Sequence, residues 1–71
     1  MEIYRLSLLG YKLSHTVRHP ENPSWRVIYY LAKMHVASKE KILGEVDGAT
    51  LATLTDLKRK RIIVEETGVN V

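Results

Sequence analysis

The sequence predicts one mainly α-helical domain with a small β-hairpin, and three observations carry that reading. Apolar residues recur at three- and four-residue spacing through most of the chain, Asp47-Gly48 separates two short periodic segments, and the β-branched run Ile62-Ile63-Val64 closely follows the second. At 71 residues the chain makes a single domain, 1–71, that buries only about 60% of the surface its unfolded form exposes. Such a domain commits most of its apolar residues to one core or shares some with a partner.

Residues 2–6 alternate as a short strand, with Ile3 and Arg5 on one face and Tyr4 and Leu6 on the other. Ser7 is placed to cap a helix whose Leu9, Leu13, Thr16 and Val17 form a stripe. Gly10 lowers the stability of that helix and Pro20 ends it, so residues 1–19 form an N-terminal strand and helix. Asn22 caps the next helix and Pro23 takes its first position. In this central helix, 23–35, Trp25, Ile28, Tyr29 and Ala32 make one face, Val27, Leu31 and Met34 extend it, and Arg26 and Lys33 mark the polar side. A helix apolar over most of its circumference packs on more than one side, as the central pillar of the domain or as part of a dimer seam.

Val36-Ala37 reads as a brief extended link, after which Ser38 caps a helix from Lys39 to about Glu45 with Ile42, Leu43 and Val46 inward. Asp47-Gly48 makes a tight turn. From Ala49 to Lys60, Leu51, Leu54 and Leu57 are expected to face inward, leaving Ala49, Ala52, Thr53, Asp56, Arg59 and Lys60 outside. Ile62-Ile63-Val64 then reads as a strand, Thr67-Gly68 as a turn and Val69-Asn70-Val71 as the returning strand.

Two short helices over 38–60 joined by a tight turn, with a hairpin over 62–71, make a helix-turn-helix followed by a wing. The second helix enters a major groove only if the residues near its start are small or hydrogen-bonding, and Ala49, Thr50, Ala52 and Thr53 meet that requirement. Lys58-Arg59-Lys60-Arg61 adds four cations for phosphates, although such a run also suits a solvated helix end, where it complements the helix dipole. These eight residues are the candidate contacts to double-stranded DNA. Threonine and alanine give only modest base discrimination, so binding is expected to be sequence-tolerant or modestly specific.

The stretch Leu51-Ala52-Thr53-Leu54-Thr55-Asp56-Leu57-Lys58-Arg59-Lys60-Arg61-Ile62-Ile63 resembles the recognition helix and wing entry of winged helix-turn-helix regulators. Glu40-Lys41-Ile42-Leu43 followed by Val46-Asp47-Gly48 is similar to the helix before it, and Tyr4-Arg5-Leu6-Ser7-Leu8-Leu9-Gly10 resembles the strand that closes a wing and the helix after it. With His19-Pro20-Glu21-Asn22-Pro23-Ser24-Trp25-Arg26-Val27-Ile28 leading into the core, the arrangement resembles small archaeal transcriptional regulators. The resemblance implies a winged helix-turn-helix domain that binds DNA in transcriptional or chromosomal regulation. Two departures stand out. Arg61 occupies a position where the family usually has Gly, so either the helix ends differently or a non-Gly residue adopts a left-handed conformation. The wing carries Glu65-Glu66, and carboxylates approach DNA unfavourably; Asp56 adds a smaller objection unless it pairs with Lys60 at i+4.

The apolar excess of the first half points to a homodimer seam formed by Leu9, Leu13, Val17, Trp25 and Tyr29, against the alternative that the first helix folds back over the central one. Trp25, Tyr29 and Tyr30 at helical spacing suit packing better than a base-stacking platform. His15 and His19 stand at i and i+4, but only His35 remains to complete a metal site, and no Cys exists to help. No nucleophile with a base, no paired carboxylates and no phosphate-cradling Gly loop point to an enzyme, a cofactor or a small-molecule ligand. The net charge is +3 and the apolar run around Leu6 to Leu9 is too short for a signal peptide or membrane span, which makes a cytoplasmic protein the expectation. The other functional class compatible with the acidic wing is a protein-protein docking module in a larger assembly.

Overall fold

The computed structural model describes residues 2–16 and 21–67, so the expectations placed on Val17, His19, Pro20 and the returning strand at 69–71 lie outside the described residues. In chain order the elements are β1 (Glu2–Leu6), α1 (Leu8–Ser14), α2 (Pro23–Met34), β2 (Val36–Ser38), α3 (Lys39–Glu45), α4 (Leu51–Arg59) and β3 (Ile63–Thr67). Among the described residues there are thus four helices and a three-stranded antiparallel sheet.

The sheet runs in the order β2-β1-β3. Its register sets Tyr4 opposite Ala37 on one side and Glu65 on the other, and Leu6 opposite Ile63. The central strand is therefore the first in the chain, and β3 pairs with β1. Val36-Ala37, expected as a link, is an edge strand: Ala37 is buried on the sheet face that carries Tyr4 and Leu6. The expected alternation of β1 holds, with Tyr4 and Leu6 buried and Arg5 exposed.

One core joins that sheet face to the helices through Val27, Ile28 and Leu31 of α2, Ile42 of α3, and Leu54 and Leu57 of α4. Each fully buried Leu or Ile contributes about 1.5–3 kcal/mol, so this cluster dominates the stability of so small a domain. The helix starts follow from side-chain caps. Ser7, Asn22 and Ser38 accept from the backbone N–H groups of Gly10, Ser24 and Lys41. Pro23 at the start of α2 lacks the N–H that would otherwise want a partner there.

Three sequence expectations need correction. The stripe Leu51, Leu54, Leu57 does not hold as a unit, because Leu51 is 57% exposed while the other two are buried. Steps of three residues rotate about 60° each on a helix of 3.6 residues per turn, so a face centred on 54 and 57 has turned away by 51. Leu9 likewise faces outward at 47% exposure, while Leu13 is half-buried against the core. Gly10 is not merely a weak helix former. A Cβ built there would lie 2.4 Å from the Ile62 carbonyl oxygen and 2.8 Å from Leu6 Cδ2, so only Gly lets α1 lie against the chain entering β3. That junction is closed by Ser7, whose N–H donates to Ile62 O at 3.0 Å and whose hydroxyl donates to Arg61 O at 2.6 Å.

Candidate nucleic-acid interface

The geometry of α3, the turn and α4 follows from three local devices. Val46 is buried and ends α3, and Gly48 at φ 83 reverses the chain in a conformation that favours glycine. Arg26 of α2 reaches across to donate from Nη1 to the Asp47 carbonyl at 3.1 Å, with its Asp47 carboxylate contact at 3.9 Å. Thr50 then opens α4 with a capping box: Thr53 N–H donates to Thr50 Oγ1 at 3.3 Å, and Thr50 N–H donates to Thr53 Oγ1 at 3.2 Å. The turn is thereby fixed from α2 on one side and by its own helix start on the other.

Of the four small residues expected at the groove-facing start, Thr50 and Ala52 are exposed, whereas Ala49 and Thr53 are half-buried. Ala49 packs against the core and Thr53 commits its hydroxyl to the cap. The outer face of α4 instead carries Leu51, Ala52 and Thr55, followed by Lys58 and Arg59. Leu51 and Thr55 were not among the expected contacts. An i, i+4 reading from Leu51 to Thr55 and Arg59 would have found this face; the threefold leucine repeat hid it.

All four cations of the basic run are exposed, and three are paired with acids. Asp56 binds Arg59 Nη2 and Lys60 Nζ, both at 3.1 Å, and Lys58 Nζ donates to Glu65 on β3. The bonds from Lys60 and then Arg59 hold the Asp56 carboxyl below its ordinary value of 3.8. Arg5 of β1 binds Glu66 at 2.8 Å, so both acids of β3 are matched by cations of this chain. Exposed pairs of this kind contribute about 0–1 kcal/mol each, little enough for a phosphate to compete for the cation. The i, i+4 spacing of Asp56 and Lys60 is legible in the sequence, whereas the Lys58–Glu65 pair depends on how β3 leaves the helix.

Arg61 makes no ion pair among the described residues and adopts φ 62. Its N–H donates to Lys58 O and the following Ile62 N–H to Leu57 O, both at 3.0 Å, with Ile62 and Leu57 both buried. This is a Schellman ending with arginine at the position that glycine favours. It directs the chain from α4 into β3.

The residues expected at a dimer seam are divided by the fold. Leu9 is exposed, Leu13 faces its own core, and Trp25 and Tyr29 are half-buried with ring centroids 5.9 Å apart. Helix α1 packs on α2, so part of the apolar surface of α2 is covered within the chain. Among the described residues no group of three or more His, Cys, Asp or Glu gathers to hold a metal ion, and no helix is long and apolar enough to cross a membrane. No family model matches the chain, and neither a curated protein nor a solved structure is similar to it.

Proposed function

We propose that the chain is a winged helix-turn-helix domain that binds double-stranded DNA with modest specificity, α4 being the recognition helix and the homodimer its working form as a transcriptional regulator. The observation that carries the reading is the outer surface of α4: Thr50, Ala52 and Thr55 are exposed, and four exposed cations follow at its end. Small residues let a helix approach base edges, and the cations then meet phosphates. Exposed Leu51 fits the same surface through apolar contact with a thymine methyl. In this reading β3 and β1 are the strands of the wing, consistent with their antiparallel pairing and with the resemblance of the opening segment to a strand that closes a wing.

Fluorescence anisotropy with a labelled duplex, repeated across salt concentrations, tests the proposal. Replacing Arg59 and Lys60 by Ala reduces the slope of log K against log salt by about 0.9 for each phosphate no longer neutralised. An unchanged slope removes the basic run from the interface. The observation favouring a second reading, protein docking, is the same Leu51, a large apolar side chain 57% exposed beside cations already matched by Asp56 and Glu65. A docking module shows negligible duplex binding even at low salt.

A further inference from the structure

The exposed face of α4 opens with carbon rather than with hydrogen-bonding groups. Leu51, Thr55 and Arg59 stand at i, i+4 and i+8 with Ala52 beside them, and all four are exposed. Leu51 and Ala52 carry no polar side-chain atom. The Thr50 hydroxyl is committed to the helix start, where it accepts from Thr53 N–H and meets Thr53 Oγ1, both at 3.3 Å, which leaves its methyl outward. Thr55 brings one further hydroxyl. Arg59 lies about two turns beyond Leu51 and is paired with Asp56.

We infer that this face reads the C5 methyl group of pyrimidines in the major groove, so that its substrate class is duplex DNA rich in thymine or 5-methylcytosine. The inference rests on the DNA-binding reading of α4 and names what that helix selects. In the major groove, donors and acceptors distinguish the base pairs, and the thymine methyl is the one apolar mark. Arg, Lys, Asn and Gln read the donors and acceptors, and none of them stands among residues 50–57. For Leu51, Ala52 and the threonine methyls, apolar contact with a methyl on C5 is what remains. A methyl on C5 of cytosine occupies the same place in the groove as that of thymine, so one face serves both. Lys58, Arg59, Lys60 and Arg61 meet phosphates whichever bases lie between, and so raise affinity without choosing sequence.

The test is fluorescence anisotropy of the intact chain with matched pairs of labelled duplexes at a fixed salt concentration. In an alternating A·T duplex, uracil replaces thymine and removes the methyl alone. In an alternating G·C duplex, 5-methylcytosine replaces cytosine and adds it alone. Burying one methyl strengthens binding about fourfold, so uracil weakens binding by about fourfold or more and methylation of cytosine strengthens it by as much. A protein that follows the narrow minor groove of A·T sequences gains nothing from the second change. Leu51→Ala places a strong helix former at an exposed position, so the variant folds; it lowers both ratios and leaves the slope of log K against log salt unchanged. The inference is overturned by equal affinity for thymine and uracil duplexes, by no gain on methylating cytosine, or by unchanged ratios in Leu51→Ala. Salt-dependent binding that persists through those results leaves the DNA-binding reading of α4 standing. Absence of binding to every duplex at low salt removes that reading and the inference with it.

Discussion

Gly10→Ala is the substitution whose sign most sharply tests the packing of α1. On helix propensity alone, Ala in place of Gly stabilises a helix interior by about 0.8–1 kcal/mol. The new methyl, however, would lie 2.4 Å from a backbone carbonyl oxygen, where ordinary contact is above 3.4 Å. Ile62 O cannot move alone, because it accepts from Ser7 N–H at 3.0 Å and Ile62 N–H is fixed to Leu57 O. Overpacking of this kind costs about 1–3 kcal/mol, and loosening the two Ser7 bonds at residues 61 and 62 costs about 0.5–1.5 kcal/mol each. With the propensity gain offset, the expected loss is about 1–5 kcal/mol. A domain of this size holds roughly 4–10 kcal/mol in all, and each kcal/mol moves Tm by about 4–8 °C. Thermal and urea unfolding followed by circular dichroism read the effect directly. Gly44→Ala is the internal control, since its Cβ meets nothing within 4 Å and α3 should gain about 0.5–1 kcal/mol. If Gly10→Ala were as stable as the native chain, the close approach of α1 to the α4–β3 junction would be wrong.

Arg61→Gly relieves the left-handed backbone at φ 62 and should stabilise by about 1 kcal/mol in urea titrations, while lowering affinity for any polyanion. Thr50→Ala removes the cap of α4 and should cost about 1 kcal/mol, with amide exchange accelerated first at residues 51–54. Because Asp56 has a lowered native pKa, its contribution to stability is complete above the ordinary value of 3.8 and is lost as pH falls through the lower native value. Asp56→Asn should therefore flatten the acid side of the stability profile, and by releasing Arg59 and Lys60 it should also tighten duplex binding at low salt.

What the sequence disclosed was local. Ser7, Asn22 and Ser38 mark their helices by side chains that bond backbone only two or three residues away, the Asp47-Gly48 turn is marked by a glycine at positive φ, and the structure keeps each of them. The faces of β1 were legible for the same reason, since alternation is a property of neighbours. Partners were not. Nothing near Val36-Ala37 announces a strand of three residues, whose pairing depends on β1 more than thirty residues earlier. Arg61 was legible as a question, and its φ answers in favour of the left-handed alternative. On the candidate interface, the exposure of the basic run was legible, but the facing of Leu51 was hidden by a repeat of three that an α-helix cannot keep on one side.

The placement of β1 in the middle of the sheet governs how the chain reaches its native state. Arg5 and Glu66 meet across 61 residues and Ser7 and Ile62 across 55, whereas each helix closes its own bonds within a single turn. Loop closure over such separations must be achieved before the contacts repay it, so topology of this kind slows folding well beyond what a small helical domain would show. The helices can form and dissolve many times while β1 waits for residues 63–67, and the rate-limiting event is then the meeting of the two distant strands. Stopped-flow refolding should accordingly give a single phase in which substitutions at Leu6 or Ile63 slow folding, while substitutions in α3 mainly hasten unfolding.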